Sequence, residues 1–278
     1  MLLRYPGAKS RGRLKNAILD RLIGYLNSNR YQEYREPFFG SGAIGFALLE
    51  HGVKQVWFND RDPGISCLWN AVFNDSVRLE ALISDFVPSV DAFHSYKNDL
   101  LSPSADEDPV LIGFKKLALN RISFSGLGVM AGGPLGGNKQ TSAYGIGCRW
   151  SADRLVKDIR KIKKLIADVE LREGMCTCLD FEEVIRAPGQ ALLYLDPPYF
   201  QKGSDLYQFG FEGEHERLAA CLRECPHDFV LSYDDCEEIR QLYEWANCES
   251  APTRYSISGQ REKSELVITR GEGVEDGH

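Results

Sequence analysis

The sequence predicts an α/β fold: a largely parallel sheet wrapped by helices and interrupted by an inserted, mainly helical segment. Three observations carry this expectation. The apolar run Leu192-Leu193-Tyr194-Leu195 has the length and composition of a strand buried on both faces, and it stops at Asp196-Pro197-Pro198-Tyr199, where two prolines forbid more strand. Tyr34 to Leu49 reads as strand, glycine-rich turn and helix, with a second strand at Gln55-Val56-Trp57-Phe58-Asn59. Between Asp60 and the next clear strand lie more than a hundred residues, too many for one connection within an α/β sheet.

With 278 residues and 43% hydrophobic content the chain can bury a sizeable core. No apolar run is long enough to span a bilayer, and Met1 to Gly7 lacks the apolar stretch of a signal peptide, so the expectation is a cytoplasmic protein without a membrane partner. The eight cysteines form no paired C-x-x-C sets and read as free thiols, with no metal site. No Pro-Cys dipeptide occurs, which argues against the cysteine nucleophile needed to methylate a cytosine ring carbon. The net charge of −7 runs against a nucleic-acid partner, but the distribution is uneven. Arg4, Lys9, Arg11, Arg13 and Lys15 form one basic cluster, and Arg149, Arg154, Lys157, Arg160, Lys161, Lys163 and Lys164 another; each also reads as a solvated helix face.

Pro6 and Gly7 set a loop that holds Tyr5 and Lys9 before a helix with Leu14, Ile18 and Leu22 on one face. Gly40, Gly42 and Gly45 match G-x-G-x-x-G, which lets backbone approach a ligand and by itself also suits a nicotinamide dehydrogenase. Asp60, at the end of the second strand, is placed to hold the ribose hydroxyls of an adenosine-containing cofactor. Helical patterns follow over Ile65 to Phe73, Val77 to Phe86 and Leu111 to Leu119, with a polar break at Ser102 to Asp106. Ser125, Gly126 and the glycine-rich loop from Gly132 to Thr141, beside Arg121, Lys139 and Arg149, suit close approach to a phosphate backbone; a plain surface loop fits equally.

A helix from Asp153 turns Leu155, Ile159, Ile162 and Ile166 inward. Thr177 to Phe181 reads as a short strand ending in an acid and an aromatic suited to an adenine ring, or as a helix N-cap at Asp180. Further on, His215 to Leu222 and Glu237 to Trp245 read as helices and Asp228 to Tyr233 as a strand. Arg254 to Ser258 and Glu265 to Thr269 alternate as a closing hairpin.

The Asp196 turn has a distinct chemistry. Two prolines remove backbone donors, leaving the Asp196 carboxylate and carbonyls as acceptors, and Tyr199 adds a flat ring. An exocyclic amine of a nucleobase supplies the matching N–H groups. Hydrogen bonds to Asp196 and the Pro197 carbonyl draw its nitrogen towards tetrahedral geometry and free its lone pair, while a base flipped from its helix stacks on Tyr199. Cytosine's exocyclic amine fits the same platform, and a binding protein without catalysis remains an alternative.

Together these stretches resemble the Dam-type DNA adenine N6-methyltransferases. The resemblance rests on Arg4-Tyr5-Pro6-Gly7-Ala8-Lys9, Glu36-Pro37-Phe38-Phe39-Gly40-Ser41-Gly42, Asn59-Asp60, Asn120 to Gly126, Asp180-Phe181, Asp196-Pro197-Pro198-Tyr199, Leu231-Ser232-Tyr233 and Glu265 to Ile268, in that order. It implies a Rossmann-like seven-stranded S-adenosylmethionine-dependent methyltransferase sheet with an inserted, mainly helical DNA-recognition domain, divided 1–61, 62–170 and 171–278. By the same resemblance Asp196, Pro197, Pro198 and Tyr199 are catalytic. Tyr5 and Lys9 hold the methionine end of S-adenosylmethionine, Glu36, Phe39, Gly40, Ser41 and Gly42 lie along it, Asp60 takes its ribose, and Asp180 with Phe181 its adenine. Double-stranded DNA, contacted through Arg121, Ser125, Gly126, Lys139 and Arg149, is the implied partner, and a companion restriction endonuclease is a further one. Leu127 to Gly133 departs from the longer polar loop, bearing another arginine, common in the family, so no target sequence is carried over.

Overall fold

A computed structural model describes residues 1–4, 12–28, 30–104, 106–200, 211, 213–253 and 263–270. Seven strands form one sheet: β1 (Glu33–Glu36), β2 (Gln55–Phe58), β3 (Glu170–Leu171), β4 (Ala191–Leu195), β5 (Asp228–Asp234), β6 (Ala246–Thr253) and β7 (Lys263–Arg270). Their order is β3-β2-β1-β4-β5-β7-β6; the first five run parallel, and β7 lies antiparallel between β5 and β6.

The period-two alternation of the strands sorts their side chains onto two faces. Tyr34, Val56, Phe58, Leu192, Tyr194 and Val230 enter one core, with Leu14, Ile18 and Leu22 of α1 (Arg13–Leu26) and Leu48 of α2 (Gly45–Glu50). Leu193, Leu195, Phe229, Leu231 and Tyr233 enter the other, with residues of α8 (Phe181–Arg186), α9 (Glu214–Glu224) and α10 (Glu237–Leu242). Both faces of the central strands are therefore covered, which is why β4 reads as an unbroken apolar run.

Between β2 and β3 come α3 (Pro63–Asn74), α4 (Ser76–Asp85), α5 (Val90–Leu101), α6 (Pro109–Ile122) and α7 (Ala152–Leu165). Asp62 caps α3 by accepting from Gly64 N at 2.8 Å and Ile65 N at 3.3 Å, and Asp108 caps α6; each cap precedes a proline at the first helical position. Leu68, Trp69, Leu117, Leu155 and Ile159 of this segment join the first sheet-face core, and a smaller core gathers Phe93, Leu100, Leu119, Ile122, Val129 and Ile146. The inserted residues thus pack partly onto the sheet and partly around their own apolar centre.

Some elements differ from the sequence-based expectation. Helix α5 buries only Phe93 and Leu100, too few apolar positions to stand out among its charges. Thr177 makes an isolated parallel bridge to Asn59 instead of a strand. The closing hairpin takes its first strand from Ala246–Thr253, a polar stretch at the sheet edge, whereas the alternating residues 254–258 lie outside the described residues.

Helices α3 and α6 meet through Gly113, where an added Cβ would lie 2.6 Å from the Leu68 backbone. Substitution Gly113→Ala gains about 1 kcal/mol of helix propensity. Forcing the helices apart costs about 1–3 kcal/mol. The expected outcome, read by urea unfolding, is net destabilisation, whereas Gly24→Ala, in open space, does not destabilise.

Candidate active site at the strand switch point

Neighbouring strands β1 and β4 lead away in opposite directions, β1 towards β2 and β3, β4 towards β5. The crevice beyond their carboxyl ends is where such sheets bind ligands. Glu36 ends β1, Asn59 and Asp60 follow β2, and Asp196 follows β4, so the topology collects there residues that are far apart in the chain.

After β1 the chain makes its glycine turn. Gly40 and Gly42 have φ of +45° and +67°, a region that disfavours other residues. A Cβ on Gly42 would lie 2.4 Å from the Phe46 ring, while one on Gly40 would meet none of the described residues within 4 Å. Trp69 Nε1 donates to Gly40 O at 2.9 Å, and Gly40 N donates to Asp60 Oδ2 at 2.7 Å. Asp60 Oδ1 accepts from Asp62 N at 3.0 Å. Burial pushes the Asp60 carboxyl up to about 7, the Asp62 charge adding to it and the two amide donors pulling back. Phe39 stacks on Phe58 at 4.0 Å and is 2% exposed, so its main chain, not its ring, borders the turn. Ser41 lies in the turn, half-buried. Glu36 is buried; its carboxylate accepts from Tyr34 Oη at 2.8 Å, and burial, with Asp196 and Asp60 nearby, drives it well above the usual carboxylate range against the bonds from Tyr34 and Gly45.

Fully buried Asn59 joins the surrounding segments. Its Nδ2 donates to Pro37 O at 3.0 Å and Leu179 O at 3.1 Å, and its Oδ1 accepts from Thr177 Oγ1 at 2.7 Å and Leu179 N at 2.9 Å. The sequence hinted at such a role only through a polar residue ending an apolar strand. Beyond this clamp, Asp180 caps α8 in a capping box and pairs with Arg217 at 2.7 Å. Burial raises the Asp180 carboxyl, but Arg217 and the Glu182 amide outweigh it and hold it below its usual range. The Phe181 ring is 2% exposed, packed by Phe38 at 5.6 Å and Phe211 at 5.8 Å, with the Arg217 guanidinium 4.3 Å from its centre. The N-cap reading of Asp180 holds, and the Phe181 ring is part of the second core.

At the end of β4, Pro197 is buried, and Asp196, Pro198 and Tyr199 are half-buried. Buried Ser232 on β5 donates to Asp196 Oδ1 at 3.1 Å, and its hydroxyl lies 3.1 Å from Tyr194 Oη. Tyr199 Oη donates to Glu265 Oε1 at 3.1 Å. Ser232, Asp234 and Glu265 are neighbours of this turn to which the sequence gave no individual role, although Ser232 and Glu265 lie in two of the stretches that carry the resemblance.

Tyr5 and Lys9 lie outside the described residues. Arg121 is 7% exposed and spends its guanidinium on the carbonyls of Leu2, at 2.8 Å, and Met1, so it secures the amino terminus and is not displayed to a phosphate. Burial, with Arg4, Arg154 and Arg149 nearby, pushes Arg121 down to about 10, Asp158 partly offsetting them. Arg4, Arg149 and Arg154 thus lie in the neighbourhood of Arg121. Ser125 is exposed in a left-handed conformation (φ 57°), Gly126 is buried, Lys139 is exposed and Arg149 half-buried.

A sheet with an antiparallel seventh strand between the fifth and sixth, and a glycine turn facing an acid-proline turn across its switch point, has the α/β architecture of a methyltransferase. The chain belongs to the D12 class N6 adenine-specific DNA methyltransferases, whose family model matches residues 14–257. It is also 25% identical over 213 residues, 71% of this chain and 68% of the relative, to the Type II methyltransferase M.MjaIII of Methanocaldococcus jannaschii. Neither match favours the nicotinamide dehydrogenase that the glycine spacing alone allowed.

Replacing Asn59 by Ala removes the partner of four polar groups, one each on buried Pro37 and Thr177 and two on half-buried Leu179. We expect a loss of about 3 kcal/mol in urea unfolding. Asn59→Asp should lose a comparable amount, because a carboxylate then faces the carbonyls of Pro37 and Leu179.

Proposed function

We propose that this protein transfers a methyl group from S-adenosylmethionine to the N6 amine of an adenine flipped out of double-stranded DNA. The observation that supports it most is Asp196-Pro197-Pro198-Tyr199 at the switch point, with Asp196 held by Ser232 beside the open glycine turn. The bound donor supplies an electrophilic methyl on a sulfonium. Asp196 and the Pro197 carbonyl accept the two N–H bonds of the amine, aim its lone pair at the methyl and stabilise the positive charge that grows on nitrogen. Transfer would exchange the S–C bond of the donor for the new N–C bond and leave a neutral thioether, and Asp196 would take the proton that the amine gives up along their hydrogen bond. Tyr199 carries the base by stacking.

The donor set fits the cofactor. No described side chain or backbone comes within 4 Å of a Cβ placed on Gly40, and each Asp60 oxygen keeps a lone-pair site beyond its amide donor for a ribose hydroxyl. In this reading Glu36 supports the turn from below, Tyr5 and Lys9 take the methionine end, and Asp180 and Phe181 border the adenine. Arg4, Arg149 and Arg154 supply the positive ground for duplex DNA, and Ser125, Gly126 and Lys139 approach it.

Incubating the protein with mixed-sequence DNA and radiolabelled S-adenosylmethionine, then digesting the DNA, should place the label in N6-methyldeoxyadenosine; label in a methylated cytosine would overturn the base assignment. Asp196→Ala should lower turnover by about a hundredfold or more while keeping cofactor binding. Near-normal turnover would remove Asp196 from its role. Ribose hydroxyls donate to the ionised Asp60, whose carboxyl stands at about 7 in the free protein. Binding below that pH must release a proton, so cofactor affinity should rise about tenfold per pH unit up to there and then level off. Calorimetric titration of Asp60→Asn should show weaker binding and no such slope.

A further inference from the structure

In the antiparallel ladder between β5 and β7, Asp234 stands directly opposite Glu265. Opposed residues of such a ladder project from the same face, and like charges placed this way destabilise a sheet. Glu265 is only 6% exposed, which sharpens the cost.

Both carboxylates reach to the acid-proline turn. Glu265 Oε1 accepts from Tyr199 Oη at 3.1 Å, and Asp234 Oδ1 accepts from Phe200 N at 2.9 Å. One cross-strand pair therefore grips two consecutive residues. The two prolines before them have no N–H to offer a neighbouring strand, so the turn cannot be tied down by an ordinary backbone ladder. Side-chain acceptors on β5 and β7 replace that ladder.

We propose that Asp234 and Glu265 are positioning residues for the transfer reaction, Glu265 fixing the plane of the Tyr199 ring through its phenol and Asp234 fixing the exit of the turn. This rests on the reading that Tyr199 carries the target base. The two hydrogen bonds hold the turn rigid where the base must stack.

Steady-state methyl transfer to duplex DNA by the full chain tests this, with melting curves taken on every variant. Tyr199→Phe keeps the ring and removes the phenol donor; Glu265→Leu removes the acceptor; Glu265→Gln keeps an acceptor and removes a charge. Tyr199→Phe and Glu265→Leu should each lower kcat about tenfold with the KM for S-adenosylmethionine unchanged. The double variant should be no worse than either single one. Glu265→Gln, which keeps an acceptor for the phenol, should recover most of the turnover lost in Glu265→Leu. Wild-type kcat in Tyr199→Phe, or multiplying losses in the double variant, would overturn the proposal. Should Glu265→Leu fail to fold, Tyr199→Phe and Glu265→Gln still decide it, because a tenfold loss in the first with most of the turnover kept in the second is required. A wild-type protein that transfers no methyl to DNA would instead sink the functional reading itself.

Discussion

Four hydrogen bonds from one carboxamide hold the ligand-facing end of the sheet together. Asn59 takes Pro37 after β1 and Thr177 and Leu179 before α8, segments separated from it by 22 and about 120 positions in the chain. Because it is fully buried, each of its polar atoms must be satisfied from within, and the geometry that satisfies all of them is narrow. Asp60, the next residue, inherits that precision. Its place against the glycine turn follows from a clamp one residue upstream, and Trp69 closes the same turn from α3.

Along the opposite side of the switch point the support is also polar and cross-linked. Ser232 braces Asp196 from β5, and the Asp234–Glu265 pair braces the residues after the prolines. Buried polar groups of this kind stabilise little on balance, since their bonds replace bonds to water. What they supply is a fixed position for Asp196, Tyr199 and Phe200. Glu36 differs: burial drives its carboxyl well upward and favours the neutral form, which limits the negative charge gathered next to Asp196 and Asp60.

The amino terminus is joined to the inserted helices by the same logic. Asn120, at the end of α6, accepts from Arg4 N at 2.8 Å and donates to the carbonyls of Arg4 and Gly126, while Arg121 holds Met1 and Leu2. Two polar residues of one helix end thus tie the first four residues to the turn at Ser123 to Gly126. The segment that leads on to Tyr5 and Lys9 starts from an anchored position.

By itself the sequence determined the sheet's central strands, the glycine turn, the acid-proline turn and most helices, because each is encoded locally: in period-two or helical spacing, in caps such as Asp62 before Pro63, and in prolines that end strands. It also carried the family through motifs in their order. Tertiary structure decided what local pattern cannot express. A polar edge strand such as Ala246–Thr253 is a strand only because β7 lies beside it, and helix α5 exists by packing Phe93 and Leu100 into a small separate core. Arg121 looked like a phosphate ligand in the sequence, yet the fold surrounds it with main-chain carbonyls, since a buried guanidinium must find acceptors wherever it lies. Only the ladder register set Asp234 opposite Glu265, and only strand order brought Glu36, Asp60 and Asp196 to one crevice.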